Sequence, residues 1–209
     1  MNMYSKKWGG YQKSLFIVLF LVFPLLTPKV SFPAEAAQKR IDKKDLLLKF
    51  KKGETVQGVV IQGPDLIEIM KITDDDIRIE GSTIEGGLDF SNLPTVKNQI
   101  QIMDSEIRMN RDNFYAVEAE NTHFSKRVFF LKTVFSGKVD FAGATFGEEA
   151  VFLGATFRGQ TYFSFTTFHK FVSFLAAVFE NRLMLRMIDV REYADFRDAV
   201  IGQLDFDST

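Results

Sequence analysis

The 209-residue chain has no cysteine, one tryptophan, two histidines and five prolines. Without cysteine there can be no disulfide staple, no thiolate zinc ligand, no cysteine nucleophile and no lipid-modified N-terminal cysteine. The histidines, His123 and His169, are isolated from each other and make a poor foundation for a metal centre. A formal net charge of -1 gives no electrostatic case for nucleic-acid binding. There is no G-x-S-x-G, H-E-x-x-H or Walker loop. Asp74-Asp75-Asp76 lacks the spacing of a calcium loop and reads as a solvated corner. Gly86-Gly87-Leu88-Asp89 lacks the third glycine of the calcium-binding nonapeptide. The adjacent Glu148 and Glu149 fall at a turn, and no acid cluster recurs at the period of the repeat described below. The sequence therefore assigns no catalytic residue, no metal site and no cofactor, and a non-enzymatic role is expected.

Long hydrophobic runs are scarce too. The longest apolar stretch, Leu15 to Leu26, is short and contains Pro24, whereas a membrane-spanning helix needs about 20 residues. It follows a start carrying Lys6, Lys7 and Lys13 with no acid, and precedes a polar segment ending in Ala34-Glu35-Ala36. Charged start, short apolar core and small-x-small end describe a secretory signal peptide over residues 1–36, cut after Ala36. Retention of residues 15–32 as a membrane anchor is the alternative, weakened by Pro28 and Lys29. Cleavage removes four Lys and one Glu, leaving 22 basic and 26 acidic residues, a net of -4. The expected location is extracytoplasmic: periplasm, cell envelope or medium.

Residues 37–58 hold a short amphipathic helix and linker. In Ile41–Lys52, Asp42 is placed to cap the N-terminus, Leu46, Leu47 and Phe50 share a face, and Lys49, Lys51 and Lys52 precede the stop at Gly53. Such a helix can cover the open end of a following repeat domain or lie on an anionic membrane surface; the cap is the expectation.

What the chain does have is phenylalanine, 23 of them. Phe124, Phe130, Phe135, Phe141, Phe146, Phe152, Phe157, Phe163, Phe168, Phe174 and Phe179 follow one another at alternating spacings of 6 and 5. The phase continues through Leu185, Val190, Phe196 and Ile201 to Phe206. Toward the N-terminus, Ile79, Ile84, Phe90, Val96, Ile102, Ile107, Phe114 and Ala119 extend it less regularly, and Ile61, Leu66, Ile72 and Ile77 keep the spacing in an ambiguous phase. Two residues before each Phe-rich anchor stands a small or β-branched residue: Val128, Thr133, Val139, Ala144, Ala150, Ala155, Thr161, Thr166, Val172 and Ala177. Residues two apart on extended backbone point the same way. A helix cannot hold anchors at 5 and 6, and a hairpin sheet needs longer alternation. Short extended pieces between frequent corners mean a coil wound around its own core.

The units FAGATFGEEAV, FLGATFRGQTY, FSFTTFHKFVS and FLAAVFENRLM carry a resemblance. The chain resembles the pentapeptide-repeat proteins, in a Phe-rich variety with 11-residue double units, over about residues 79–206. That resemblance implies an all-β fold, a right-handed quadrilateral parallel β-helix preceded by the short helix. With one extra residue per pair of pentads, a coil takes two of these double units, slightly more than four strict pentads. The expected organisation is a signal peptide at 1–36, the capping helix and linker at 37–58, degenerate Ile-rich coils at 59–118 and the Phe-rich β-helix at 119–209.

With two double units per coil, Leu131, Leu153 and Leu175 stack vertically and point outward, with Phe129 and Val151 beside them. Gly143, Phe165 and Met187 share a second outer slot. Together these predict one exterior face with a contiguous apolar ridge, and exposed apolar stripes mark contacts. The expected function is an exported structural or protein-interaction module of the cell envelope, bacterial in character. Its partner would be another protein or a second copy, with a membrane surface also open and no nucleic acid expected. Some pentapeptide-repeat proteins mimic duplex DNA and bind topoisomerases in the cytoplasm; with 10 basic and 11 acidic residues from Ala119 to Thr209, this chain lacks the acidic field that requires. The coil end near Phe206 is expected to be covered, by oligomerisation or by a further, membrane-associated domain.

Overall fold

A chain whose large apolar side chains return every five or six residues can bury them by turning back on itself repeatedly. The computed structural model of the protein describes residues 38–206 and a two-residue strand at Ile17–Val18, and it shows such a winding. The expected signal peptide otherwise lies outside the described residues. The backbone forms a parallel β-helix with four flat faces. Face one is an eight-stranded parallel sheet, faces two and three join in a twelve-stranded sheet, and face four is a five-stranded sheet. One coil runs from Ala150–Val151 on face one to Thr156–Phe157 on face two, Thr161–Tyr162 on face three and Thr167–Phe168 on face four. It then returns to face one at Val172–Ser173.

The strand register measures the coil. Val128 pairs with Ala150, Ala150 with Val172 and Val172 with Ala194, a constant step equal to two double units. Earlier coils are longer. The step from Ile77 to its partner Ile100 exceeds the regular one slightly, and the step from Ile100 to Val128 exceeds it by more. The larger excess lies at residues 108–114, a loop between Glu106–Ile107 on face two and Tyr115–Glu118 on face three. This loop overturns one step of the expected ladder. Phe114 is 57% exposed and leaves the ladder, Ala119 is the anchor of this face, and Val117 fills the small inward slot before it, pairing with Leu88 below and Val139 above.

Inside, the eleven Phe of the regular ladder are all buried, and so are the ten small residues that precede them. The rings form four stacks, one per face. Phe124, Phe146 and Phe168 are 5.0 Å apart and near-parallel; Phe135, Phe157 and Phe179 are 4.7 and 4.6 Å apart. These separations match a layer spacing of about 4.8 Å. Between stacks the rings meet edge to face, as Phe152 does with Phe163 at 5.6 Å, which satisfies the ring quadrupoles in both directions. Threonine is tolerated among the rings because its hydroxyl finds a carbonyl: Thr133 Oγ1 donates to the Ile102 carbonyl at 2.9 Å and Thr166 Oγ1 to that of Phe141 at 2.8 Å.

Two helices close the N-terminal end. Helix α1 (Lys43–Lys51) is capped by Asp42, whose carboxylate accepts the Asp45 N–H at 2.9 Å. Leu46 and Phe50 are buried, Leu47 is half-buried, and α1 packs on the face-one strand Val56–Gln57 and on a second helix. That second helix, α2 (Gly63–Ile72), was not expected. It starts with Pro64 in its first turn, buries Leu66, Ile67, Ile69 and Met70, and replaces faces three and four of its coil. The extension of the ladder through Leu66 and Ile72 is therefore corrected: Leu66 is core within a helix, and Ile72 is 66% exposed. The degenerate coils assigned to 59–118 are thus interrupted by α2 and by the loop at 108–114.

Among the described residues, no helix is long and apolar enough to cross a membrane.

Candidate interaction face

The outer surface is built by the residues that alternate with the inward ones. On face one, each coil carries a residue just before its inward Ile or Phe and another just after it, all at least partly exposed except the buried Ser173. The first of these positions forms a column, Arg78, Gln101, Phe129, Val151, Ser173 and Asp195, each paired with the next. The second forms the column Glu80, Met103, Leu131, Leu153, Leu175 and Arg197, joined by strand pairing at its start and by backbone bonds at the adjoining corner thereafter. Phe129, Leu131, Val151, Leu153 and Leu175 occupy the middle layers and are partly exposed. Face one thus carries an apolar centre two columns wide, flanked by layers with charged residues, beyond which strands Val56–Gln57 and Ile17–Val18 continue the sheet.

The second outer slot lies elsewhere. Asn121, Gly143, Phe165 and Met187 form the corner between faces three and four, all with positive φ. Phe165 is 59% and Met187 68% exposed. This corner is diagonally opposite the one between faces one and two, so the two apolar sets do not meet. The single contiguous ridge expected from the sequence is corrected to a face-one patch and a separate exposed corner pair.

Sequence reading also passed over a column of carboxylates on face three. Asp89, Glu118 and Asp140 lie one above another in consecutive layers, with Glu120 nearby. Glu118 and Asp140 keep the regular coil step, but Asp89 and Glu118 are further apart in sequence because of the inserted loop. Aligning Val117 with Val139, and leaving Phe114 out of the ladder, would have revealed the column. Burial first, then the charges of Asp89, Asp140 and Glu120, raises the Glu118 carboxyl above its ordinary value. Burial also raises Asp140, partly offset by the Ala142 N–H that its Oδ1 accepts at 2.8 Å. The Tyr115 hydroxyl is pushed up by burial and by the same carboxylates. These groups repel one another instead of converging on a ligand: among the described residues, no three His, Asp or Glu are grouped to hold a metal ion.

The remaining polar residues pair along the rod. Arg127 Nε binds Glu149 at 2.8 Å and lies 3.7 Å from Glu148. Lys170 binds Glu192 at 3.1 Å. His123 is exposed on face four, and His169 Nδ1 lies 3.4 Å from Arg191 Nη1. The Asp74–Asp76 segment is a pinned turn: Asn98 Nδ2 donates to the carbonyls of Thr73 and Asp75, both at 2.8 Å, and Asp76 pairs with Arg78 at 2.7 Å. Arg127 with Glu149, Lys170 with Glu192 and His169 with Arg191 each stand one coil apart, so the exterior repeats the register of the core.

A chain with this winding invites comparison with known proteins. Residues 119–167 match the family model described as pentapeptide repeats (9 copies). Searches of the curated proteins and of the solved structures found no match.

Proposed function

We propose, from the premise that this chain is a pentapeptide-repeat protein, that it serves as an exported, non-enzymatic contact module of the cell envelope. The observation that carries the contact reading is the apolar centre of face one, where Phe129, Leu131, Val151, Leu153 and Leu175 crowd adjacent outer positions of a flat sheet. Apolar side chains gathered on one outer face mark contact surfaces, and a rod held rigid by stacked rings presents them at fixed spacing. Export is supported by the charged start, the short apolar core and Ala34-Glu35-Ala36. The absence of cysteine suits an oxidising compartment. Arg127–Glu149 and Lys170–Glu192 tie outer charged side chains into ion pairs along the rod, which supports a structural reading.

DNA mimicry is disfavoured by the same pairs. Arg127–Glu149 and Lys170–Glu192 place opposite signs in adjacent layers, which interrupts the acidic field there, and the face-three carboxylates span three layers only.

Cell fractionation with intact-mass measurement of the expressed full-length chain tests export. The expected product is extracytoplasmic and begins at Ala37. A full-length soluble cytoplasmic product would overturn the reading, and a full-length membrane-held product would make residues 15–32 an anchor.

A further inference from the structure

We propose that the partner of face one is a second copy of this chain, bound face to face and antiparallel, about a two-fold axis parallel to the strands. The proposal deepens the contact reading above and rests on it. A homodimer contact must be self-complementary: the same patch meets itself under a two-fold rotation. An axis running along the strands, between the Phe129 and Val151 layers, reverses layer order and keeps each column opposite itself.

Within these two columns the central and charged pairings are matched in character. In the first column, Phe129 faces Val151 and Arg78 faces Asp195, while Gln101 lies over the buried Ser173. In the second, Leu131 faces Leu153, Met103 faces Leu175 and Glu80 faces Arg197. Apolar meets apolar at the centre, a thioether–aliphatic pair follows, and opposite charges meet on either side of it. The other two-fold arrangement, with the axis along the rod, sets one column against the other within each layer. It matches charges as well, but Arg78 and Asp195 already hold opposite charges beside them in their own layers, as Asp195 does with Arg197 at 2.8 Å. Only the antiparallel arrangement brings the two oppositely ordered ends of the patch together. At the flank, the same rotation sets Arg127 of one copy opposite Glu149 of the other, extending the intrachain Arg127–Glu149 pair into a four-charge group.

Six layers at about 4.8 Å and about five residues of strand width give a patch of about 500 Å² per partner. This is below the about 800 Å² per partner of a standard stable interface. The dimer is therefore reversible and concentration-dependent, with the central apolar pairs supplying attraction and the flanking charges fixing orientation.

Sedimentation equilibrium over a concentration series, on the chain as purified from the cell fraction that holds it, is the test. Wild type is expected to dimerise reversibly. Arg197→Glu is expected to weaken the dimer about tenfold or more, because symmetry repeats the lost contact, and Glu80→Arg added to it is expected to restore most of the loss. Because Arg197 also pairs with Asp195 inside the chain, a second measurement reads geometry directly. The chain has no cysteine of its own, so E80C and R197C variants each carry one thiol. A short bis-maleimide is expected to link an E80C chain to an R197C chain and to give no dimer with E80C alone. A monomer at every concentration, E80C self-linking, or a mixture that fails to link would each overturn the proposal. The intact mass of the same sample separates the two readings. A processed monomer leaves the exported contact module standing without this partner, and an unprocessed cytoplasmic dimer does the reverse.

Discussion

Ala176 sits at a φ of 55°, in the left-handed region, where Gly154 sits at 62° one coil earlier. Every coil passes this corner between faces one and two with one residue in that conformation, and Lys132 and Asp198 hold it too. A side chain there crowds the following carbonyl by about 1–2 kcal/mol, a cost glycine escapes. Ala176→Gly is expected to stabilise the protein by about 0.5–1 kcal/mol, somewhat less than the relieved strain because glycine also frees the unfolded chain. Chemical denaturation checks this; a loss of stability would mean that the corner is not strained. The glycine in the units FAGATF and FLGATF was visible in the sequence as a repeating letter. That its slot demands positive φ was not, since Lys, Phe, Ala and Met fill equivalent slots and hide the rule.

At the scale of elements, the carboxylate column on face three has a measurable consequence. Asp140 has its carboxyl raised above the ordinary 3.8, chiefly by burial. The folded state then binds its proton more readily than the unfolded state. Stability contributed by this group falls as pH rises from the ordinary carboxylate range through the raised value, and the penalty is fully present at pH 7. Asp140→Asn keeps an oxygen for the Ala142 N–H and removes the charge. The variant is expected to melt above wild type at pH 7, by a margin that shrinks toward zero as pH falls below 3.8. A margin independent of pH would show that ionisation of the buried Asp140 carboxyl is not the cause.

Elements also show where sequence reading succeeded and failed. The Phe spacing placed all eleven inward rings and, through the coil period, the outer columns of face one. It failed at α2, because Leu66 and Ile72 happen to keep the 5–6 spacing of the coils. The helical signals were present: Pro64 and Asp65 in the first turn, then apolar residues at 66, 67, 69 and 70. The reading failed again at Phe114, where a loop inserts residues without breaking the apolar count. Below Gly137 there is room only for hydrogen: a Cβ would stand 2.5 Å from Met109 Cβ and 2.6 Å from the Phe114 carbonyl oxygen. The loop is thus seated against backbone, a close approach that apolar periodicity does not encode.

The whole molecule is a rod whose inside and outside are separated by one residue of alternation. Phe152 is fully buried between Phe130 and Phe174, at 5.7 and 5.1 Å, and touches Phe163 edge to face. Leu153, its neighbour in sequence, stands at the centre of the outer patch and is partly exposed. The interior stacks set the register, the register sets the columns, and the columns give face one its apolar centre. Stability of such a solenoid comes from each coil's contacts with its neighbours, so a charge placed in a central stack should disrupt the rod while a charge on the face should not.

The most direct measurement is therefore a paired comparison of Phe152→Asp and Leu153→Asp, each followed by thermal melting and by sedimentation. Phe152→Asp buries an unpaired carboxylate among rings and is expected to abolish the cooperative transition. Leu153→Asp is expected to keep the wild-type melting curve and lose association. Unfolding of Leu153→Asp, an unchanged melt for Phe152→Asp, or association undiminished by Leu153→Asp would contradict the account.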